Sequence, residues 1–293
     1  MKNIIAVTGG AGFIGSNLIE RLLLKTDYKI ISLDNYSSGS SKNHIKDNRI
    51  KYLKGSTKDV ESYFLKYKKN IYAVFHLGEF SRIAQSFKYI DRLRESNIIG
   101  STAVVNFCMK NNIRIIYSAT SAAFGKNFDN QNLSPYAFTK TTILNLIMNY
   151  SIWFKLKYNI VYFYNVYGKR QILDHNMAAV IGIFENCKMK GMKLPIVKPG
   201  TQNRIFTHID DIVDGCIKSL KNQKIKHLLI KASESFSIIN VAKLFNCKYK
   251  FVKSRQGERF ASSSPKSVRG MKIKLHVGKK KLIDYINDKF KNY

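Results

Sequence analysis

The sequence predicts an α/β fold of Rossmann type, a doubly wound parallel sheet with a smaller C-terminal α/β region. Three observations carry that prediction. The chain opens on an apolar run, Ile4 to Thr8, that passes directly into Gly9-Gly10-Ala11-Gly12-Phe13-Ile14-Gly15. Nineteen residues after Gly15, a second apolar run over residues 29–34 ends on Asp34. Short apolar runs then alternate with longer helical patterns through the first half, the rhythm of parallel strands joined by helices on both faces of a sheet.

Taken in order, the first strand over Ile4–Thr8 needs a glycine at its end so that the chain can turn tightly, which is the part of Gly9. Gly12 lets the backbone approach a pyrophosphate without a Cβ in between, and Gly15 allows the helix to pack close on the sheet. The helix beginning near Phe13 offers unpaired N–H groups and the positive end of its dipole to phosphates. Its apolar residues Ile14, Leu18, Ile19, Leu22 and Leu23 recur at helical spacing. Asp34 is placed to accept hydrogen bonds from a ribose diol and repels a 2′-phosphate, so NAD is favoured over NADP.

Further strands are predicted near Ile50–Lys54, Ala73–Leu77, Ile113–Ser118 and Ile160–Tyr164, and another near 227–231. Two long helices are expected near 97–111 and 136–155. The second is apolar on more than one side, which points to burial against a partner subunit and hence a homodimer formed through these two helices. Helices are also expected at Ile238–Phe245 and toward the end of the chain. We expect a dinucleotide-binding domain over 1–165, with the strand near 227–231 returning to it, and a substrate-binding region over 166–293.

Composition limits the alternatives. The formal charge of +31 invites a nucleic-acid reading, but only eleven of the fifty basic residues are arginine and they are scattered along the chain rather than gathered into a stripe with aromatics. No specific nucleic-acid binding is expected, although the field attracts an anionic substrate. The four cysteines show no C-x-x-C pair, so neither a zinc site nor a disulfide framework is indicated, which suits a reducing cytoplasm. No apolar run approaches the length of a membrane span.

The chemistry centres on Tyr136 and Lys140, which stand four apart on one helix and project from one face. A tyrosine has an ordinary pKa of about 10, and a lysine ammonium one turn away helps to hold it ionised near neutral pH. The strand ending at Ser118 leads into Ser118-Ala119-Thr120-Ser121, a hydroxyl cluster at the carboxyl end of a parallel strand, where open α/β sheets build their sites. A hydroxyl, a phenol and an ammonium beside a nicotinamide form a relay for oxidising an alcohol. Other polar residues have blander readings: His76 as a packed strand end, His208 as a brace for Asp210, Glu79 as a cofactor contact or a solvated acid, and Arg82 and Arg94 as surface ion-pair residues.

With these motifs in hand, the sequence resembles the extended short-chain dehydrogenase/reductases, specifically the NAD-dependent sugar-nucleotide epimerase/dehydratase family. The matching stretches are Thr8-Gly9-Gly10-Ala11-Gly12-Phe13-Ile14-Gly15, Leu33-Asp34-Asn35, Val74-Phe75-His76-Leu77, Asn97 with Gly100, Tyr136 with Lys140, Tyr164-Asn165-Val166-Tyr167-Gly168, residues 202–208 with Asp210-Asp211, and Arg255 with Gly257-Glu258. The resemblance implies that Thr120 is the catalytic hydroxyl, Tyr136 the base, and Lys140 the holder of Tyr136 and the nicotinamide ribose. It places Gly9, Gly12, Phe13, Ile14 and Gly15 at the pyrophosphate, Asp34, Asn35 and Ser38 around the adenosine ribose, and Ser56 where relatives carry an Asp for the adenine amine. Leu77, Gly78, Asn97, Ser118 and Tyr164 are implied to line the cofactor. Asn165, Arg204 and Arg255 are implied at the substrate diphosphate and Asn176-Met177 at its nucleotide, while Thr120 also meets the sugar.

Relatives that eliminate water carry Thr-Asp-Glu at the positions of Thr120-Ser121-Ala122, and relatives that decarboxylate a uronic acid tend to keep a Glu at the last of these. Ser121 and Ala122 supply no carboxylate. The implied outcome is 4-epimerisation of a UDP-hexose of the glucose/galactose kind through a transient 4-keto sugar. The alternatives are another enzyme of the family (decarboxylase, 4,6-dehydratase or 4-reductase) or a non-catalytic NAD sensor. No metal is expected.

Overall fold

The computed structural model describes residues 2–124, 132–174, 177–254, 256–257 and 264–291 of the 293. Its centre is an eight-stranded sheet in which every pairing is parallel. Strands β1 (Ile4–Thr8), β2 (Lys29–Asp34), β3 (Ile50–Lys54), β4 (Ile71–His76), β5 (Arg114–Thr120) and β6 (Tyr158–Phe163) run in the order β3-β2-β1-β4-β5-β6. The expected strand at His227–Lys231 does extend this sheet beside β6, pairing Leu228 with Val161. Lys274–Val277, which pattern reading passed over, adds the outermost strand beyond it. Residues 272–277 alternate polar and apolar as a strand does, and the exposure of Leu275 and Val277 suits its place at the edge of the sheet.

Alternation along the strands feeds two apolar layers. Ala6, Val74, Ile115 and Tyr117 point to one face and Ile5, Val7, Phe75 and Ile116 to the other. The second face is covered by α1 (Phe13–Lys25) and α8 (Ile209–Lys221), which pack against one another. On the first lie α2 (Val60–Phe64), α5 (Ser101–Lys110) and α6 (Pro135–Trp153). The short helices α3 (Ile83–Lys88) and α4 (Ile90–Leu93) precede a wide π-helical stretch, Arg94–Gly100, so the helix expected from residue 97 becomes regular only at Ser101. A third core gathers α7 (Val180–Met189), α9 (Ile238–Leu244), α10 (Leu282–Lys289) and the parallel strand pair Leu194–Val197 and Tyr249–Val252.

Strand order reverses between β1 and β4, and the two loops leaving their carboxyl ends part there to open a crevice. The long helix α6 begins as the sequence dictates: Ser134 caps it, accepting from the Ala137 N–H at 3.1 Å, and Pro135 sits at the first helical position. All four cysteines are free thiols. No helix among the described residues is long and apolar enough to cross a membrane.

Candidate active site

A single cavity of about 550 Å³ opens at the crevice and runs from the glycine turn to the start of α6. Its cofactor end is built by the turn after β1. Gly9 adopts a φ of +73°, and a Cβ there would stand 2.8 Å from the Gly78 backbone on the neighbouring loop. A Cβ on Gly15 would lie 2.1 Å from the Gly9 carbonyl oxygen, so this glycine serves the closure of the turn itself as well as helix packing. Gly12 caps α1 and, with Phe13 and Ile14, presents the start of the helix to the cavity.

Asp34, at the end of β2, is buried and accepts the N–H of Ala11 at 2.9 Å and that of Tyr36 at 2.7 Å. Burial raises its pKa above the ordinary carboxylate value, and these N–H groups oppose the rise. The acid therefore does a second job that the sequence did not reveal: it ties the glycine turn to the tip of β2. Asn35 and Ser38 line the cavity beside it, and Ser56 faces the same end from the loop after β3. The glycine cradle, the exposed helix start and an acid whose oxygens retain lone pairs beyond two backbone bonds fit a dinucleotide with a free ribose diol.

At the other end lie Ser118, Thr120, Tyr136 and Lys140, all on the cavity wall. Thr120 accepts the Ala122 N–H at 3.0 Å, and the Tyr136 N–H donates to Ser86 Oγ at 3.3 Å, which seats the first turn of α6 against α3. Tyr164, Asn165, Met177 and Arg204 also line the cavity. Asn165 is fixed by its amide donating to the Ile205 carbonyl at 2.9 Å, and Arg204 stands on the short strand pair of 203–204 with 236–237. Asn176 and Arg255 lie outside the described residues.

Three placements differ from the sequence reading. Asn97 does not line the cavity. It is fully buried, accepting the Phe80 N–H at 2.7 Å and donating to the Phe80 carbonyl at 2.9 Å, so it clamps the loop that forms the wall. Arg82 is no surface ion-pair residue: it faces the cavity, donates from Nε to the Met177 carbonyl, and pairs with no acid among the described residues. Burial lowers its pKa, with Tyr136 acting in the opposite sense. Arg94, by contrast, is exposed.

Glu79 is the third. Its side chain is only 3% exposed, and it forms an ion pair with Lys140, itself 5% exposed. Lys140 Nζ also donates to the Ser118 carbonyl and sits 4.3 Å from the centre of the Tyr117 ring. Glu79 Oε1 accepts the Tyr117 hydroxyl at 3.0 Å and Ser101 Oγ at 2.9 Å. Burial and the nearby carboxylate hold the Tyr117 phenol well above its ordinary pKa, so it remains a donor. Behind Ser101 the chain continues to His76 Nε2 at 2.8 Å, and His76 Nδ1 meets Thr8 Oγ1 at 2.7 Å. Burial depresses the His76 pKa to about 4, so the imidazole is neutral and packed. No group of three or more His, Cys, Asp or Glu among the described residues is arranged to hold a metal ion.

Comparison with known proteins agrees with this architecture. The chain is 31% identical over 237 residues to a dTDP-D-glucose 4,6-dehydratase of Dictyostelium discoideum, covering 71% of this chain and 53%, about half, of that protein. It is 30% identical over 234 residues to a UDP-N-acetyl-alpha-D-glucosaminuronate decarboxylase of Bacillus cytotoxicus, covering 75% and 72% of the two chains. Among solved structures, a UDP-glucose 4-epimerase from Thermotoga maritima superposes with a TM-score of 0.80 at 26% identity, covering 88% of each chain. The profile of one family matches residues 5–235, which span the glycine turn, Tyr136, Lys140 and Arg204. The chain belongs to the NAD dependent epimerase/dehydratase family.

Proposed function

We propose that this protein is a nucleotide-sugar 4-epimerase acting on a UDP-hexose of the glucose/galactose kind. One observation carries the choice among the family's reactions: where the acids of the cavity are spent. Three acidic side chains line it among the described residues. Asp34 holds the glycine turn at the far end, Glu95 is paired with Lys58 at 2.6 Å, and Glu79 is paired with Lys140 and bonded by two hydroxyls. Elimination of water and decarboxylation were the outcomes that an added carboxylate beside Thr120 favours. Ser121 and Ala122 supply none, and the oxygens of Glu79 already accept three donors.

Bound NAD supplies a reversible acceptor for the hydrogen on carbon 4 of the sugar. Tyr136 takes the proton of the 4-hydroxyl and returns it after the sugar ring has turned over, while Thr120 orients that hydroxyl toward the phenol. Lys140 and the start of α1 hold the ribose and pyrophosphate portions of the dinucleotide, and Asp34 takes its adenosine ribose. Asn165 and Arg204 grip the substrate diphosphate, Met177 faces its nucleotide, and Arg255 and Asn176 are assigned there from the sequence alone.

The division at residue 165 belongs to the same reading, with the third core carrying the substrate side. So does self-association: α6 leaves Phe138, Ile152 and Trp153 more than half exposed, an apolar surface suited to a second copy. Incubating the protein with NAD and UDP-galactose tests the reaction. Formation of UDP-glucose with no keto product and no carbon dioxide from a UDP-uronate supports it. A 4-keto-6-deoxy product, or carbon dioxide release, overturns it in favour of the corresponding reaction.

A further inference from the structure

Two of the three hydrogens on the Lys140 ammonium are already committed, one to the Glu79 carboxylate and one to the Ser118 carbonyl, and the centre of the Tyr117 ring lies 4.3 Å from the nitrogen. The third is left for a ligand in the cavity that Lys140 lines. Glu79 is in turn aimed by its own donors. An ionised carboxylate only accepts, so the Ser101 hydroxyl at 2.9 Å and the Tyr117 hydroxyl at 3.0 Å both donate to Oε1 and leave Oε2 to the ammonium. With its hydrogen spent on Glu79, Ser101 Oγ can only accept from His76, which puts the imidazole hydrogen on Nε2 and leaves Nδ1 to accept from Thr8 Oγ1 at 2.7 Å. Thr8 Oγ1 itself accepts the N–H groups of Leu77 and Gly78, each at 3.2 Å. Every hydrogen bond of this chain points from the end of β1 toward Glu79, and Thr8, His76 and Ser101 are wholly buried.

We propose that Glu79 is the positioning residue that aims the remaining Lys140 hydrogen at the nicotinamide ribose of the dinucleotide, and that the Thr8–His76–Ser101 chain holds Glu79 in place for it. The inference rests on Lys140 meeting that ribose, as proposed above, and not on which sugar is processed. A lysine on a flexible stem loses rotamer freedom when it grips a ligand. Here that loss is met on folding, in a pair whose members are 5% and 3% exposed, so the ribose finds an ammonium already in position. The chain also joins the two ends of the cofactor cleft, because Thr8 directly precedes Gly9 and the backbone of Gly9 packs on that of Gly78.

The test compares ADP-ribose, which carries the second ribose, with ADP, which ends at the pyrophosphate, in calorimetric titrations of the whole protein. No sugar substrate and no turnover are involved, so the outcome is independent of the epimerase assay. Lys140→Met should lose about tenfold in ADP-ribose affinity, the worth of one charge-assisted hydrogen bond, with ADP unchanged. Glu79→Gln should lose nearly as much, because its amide can offer an oxygen to the ammonium only by turning its N–H groups on the two hydroxyls, and the double variant should lose no more than Lys140→Met alone. An unchanged preference for ADP-ribose in Glu79→Gln, beside the loss in Lys140→Met, overturns this proposal and leaves the cofactor assignment standing. Equal losses for ADP and ADP-ribose in Glu79→Gln also overturn it, since a general loosening of the glycine turn through Gly78 weakens both. No loss in Lys140→Met overturns the ribose assignment and the proposal with it. If Glu79→Gln does not fold, Ser101→Ala and Tyr117→Phe decide: each removes one donor to Oε1 and should lose about threefold for ADP-ribose alone. An unchanged preference in both is equally contrary.

Discussion

Replacing Lys140 with Met should cost this protein stability in a manner that depends on pH. The two partners of the ion pair are 5% and 3% exposed, so removing the ammonium leaves a carboxylate in a nearly dry site. Breaking a buried pair by losing one member costs about 3–5 kcal/mol. The hydroxyls of Tyr117 and Ser101 remain as donors to the stranded Glu79, which lessens the loss. An upper bound comes from protonation: neutralising a carboxyl group of ordinary acidity at neutral pH costs roughly 4 kcal/mol, so the site never loses much more than that. Because this escape becomes easier in acid, the deficit of Lys140→Met should shrink as pH falls from 7 towards 5. Urea unfolding of wild type, Lys140→Met, Glu79→Gln and the double variant at both pH values measures it. The double variant should recover most of the loss at neutral pH, a coupling of about 2–4 kcal/mol. A pH-independent deficit with strictly additive variants would show that the two side chains do not form a pair.

His76 and His227 are both held near a pKa of about 4 by burial. In the unfolded chain they bind protons near pH 6.5, so stability is complete above that value and is lost as pH falls from about 6.5 towards 4, by up to ~3 kcal/mol for His76. Calorimetry across this range should show the fall, and His76→Asn should flatten it. Gly15→Ala brings its Cβ against the Gly9 carbonyl oxygen and should abolish NAD binding, measured by calorimetric titration, or prevent folding outright. Asp34→Asn removes the charge that repels a 2′-phosphate and weakens the acceptor for Ala11. Its preference for NAD over NADP, read from the two dissociation constants, should narrow at least tenfold, about 1.4 kcal/mol.

The parts of the site that were legible in the sequence are those whose chemistry is local. The glycine turn, the helix start and Asp34 lie within one strand-turn-helix-strand unit, and their spacing alone orders them. Tyr136 and Lys140 share a helix face by simple periodicity. What stayed hidden depends on contacts between distant segments. Glu79 meets a lysine 61 positions away, so no local pattern distinguishes it from a solvated loop acid. Arg82 read as a surface residue because nothing close to it in sequence is its partner, whereas its Nε donates to the Met177 carbonyl, 95 positions on. Asn97 sits at a family position, but the loop it clamps, rather than the cofactor, takes its amide. The edge strand Lys274–Val277 is a different case: its polar/apolar alternation is present in the sequence, but the segment is only four residues long and its pairing with His227–Lys231 is distant along the chain.

The central claim is that Tyr136 and its neighbours make a keto sugar that is re-reduced on its other face without loss to any competing reaction. UDP-galactose carrying deuterium at carbon 4, turned over by the protein with a stoichiometric amount of NAD, tests this directly. UDP-glucose should form with the deuterium retained at carbon 4, and no deuterium-free UDP-glucose should appear in ordinary water. UDP-glucose that has lost its deuterium to solvent, or a keto sugar that leaves the protein, would contradict it.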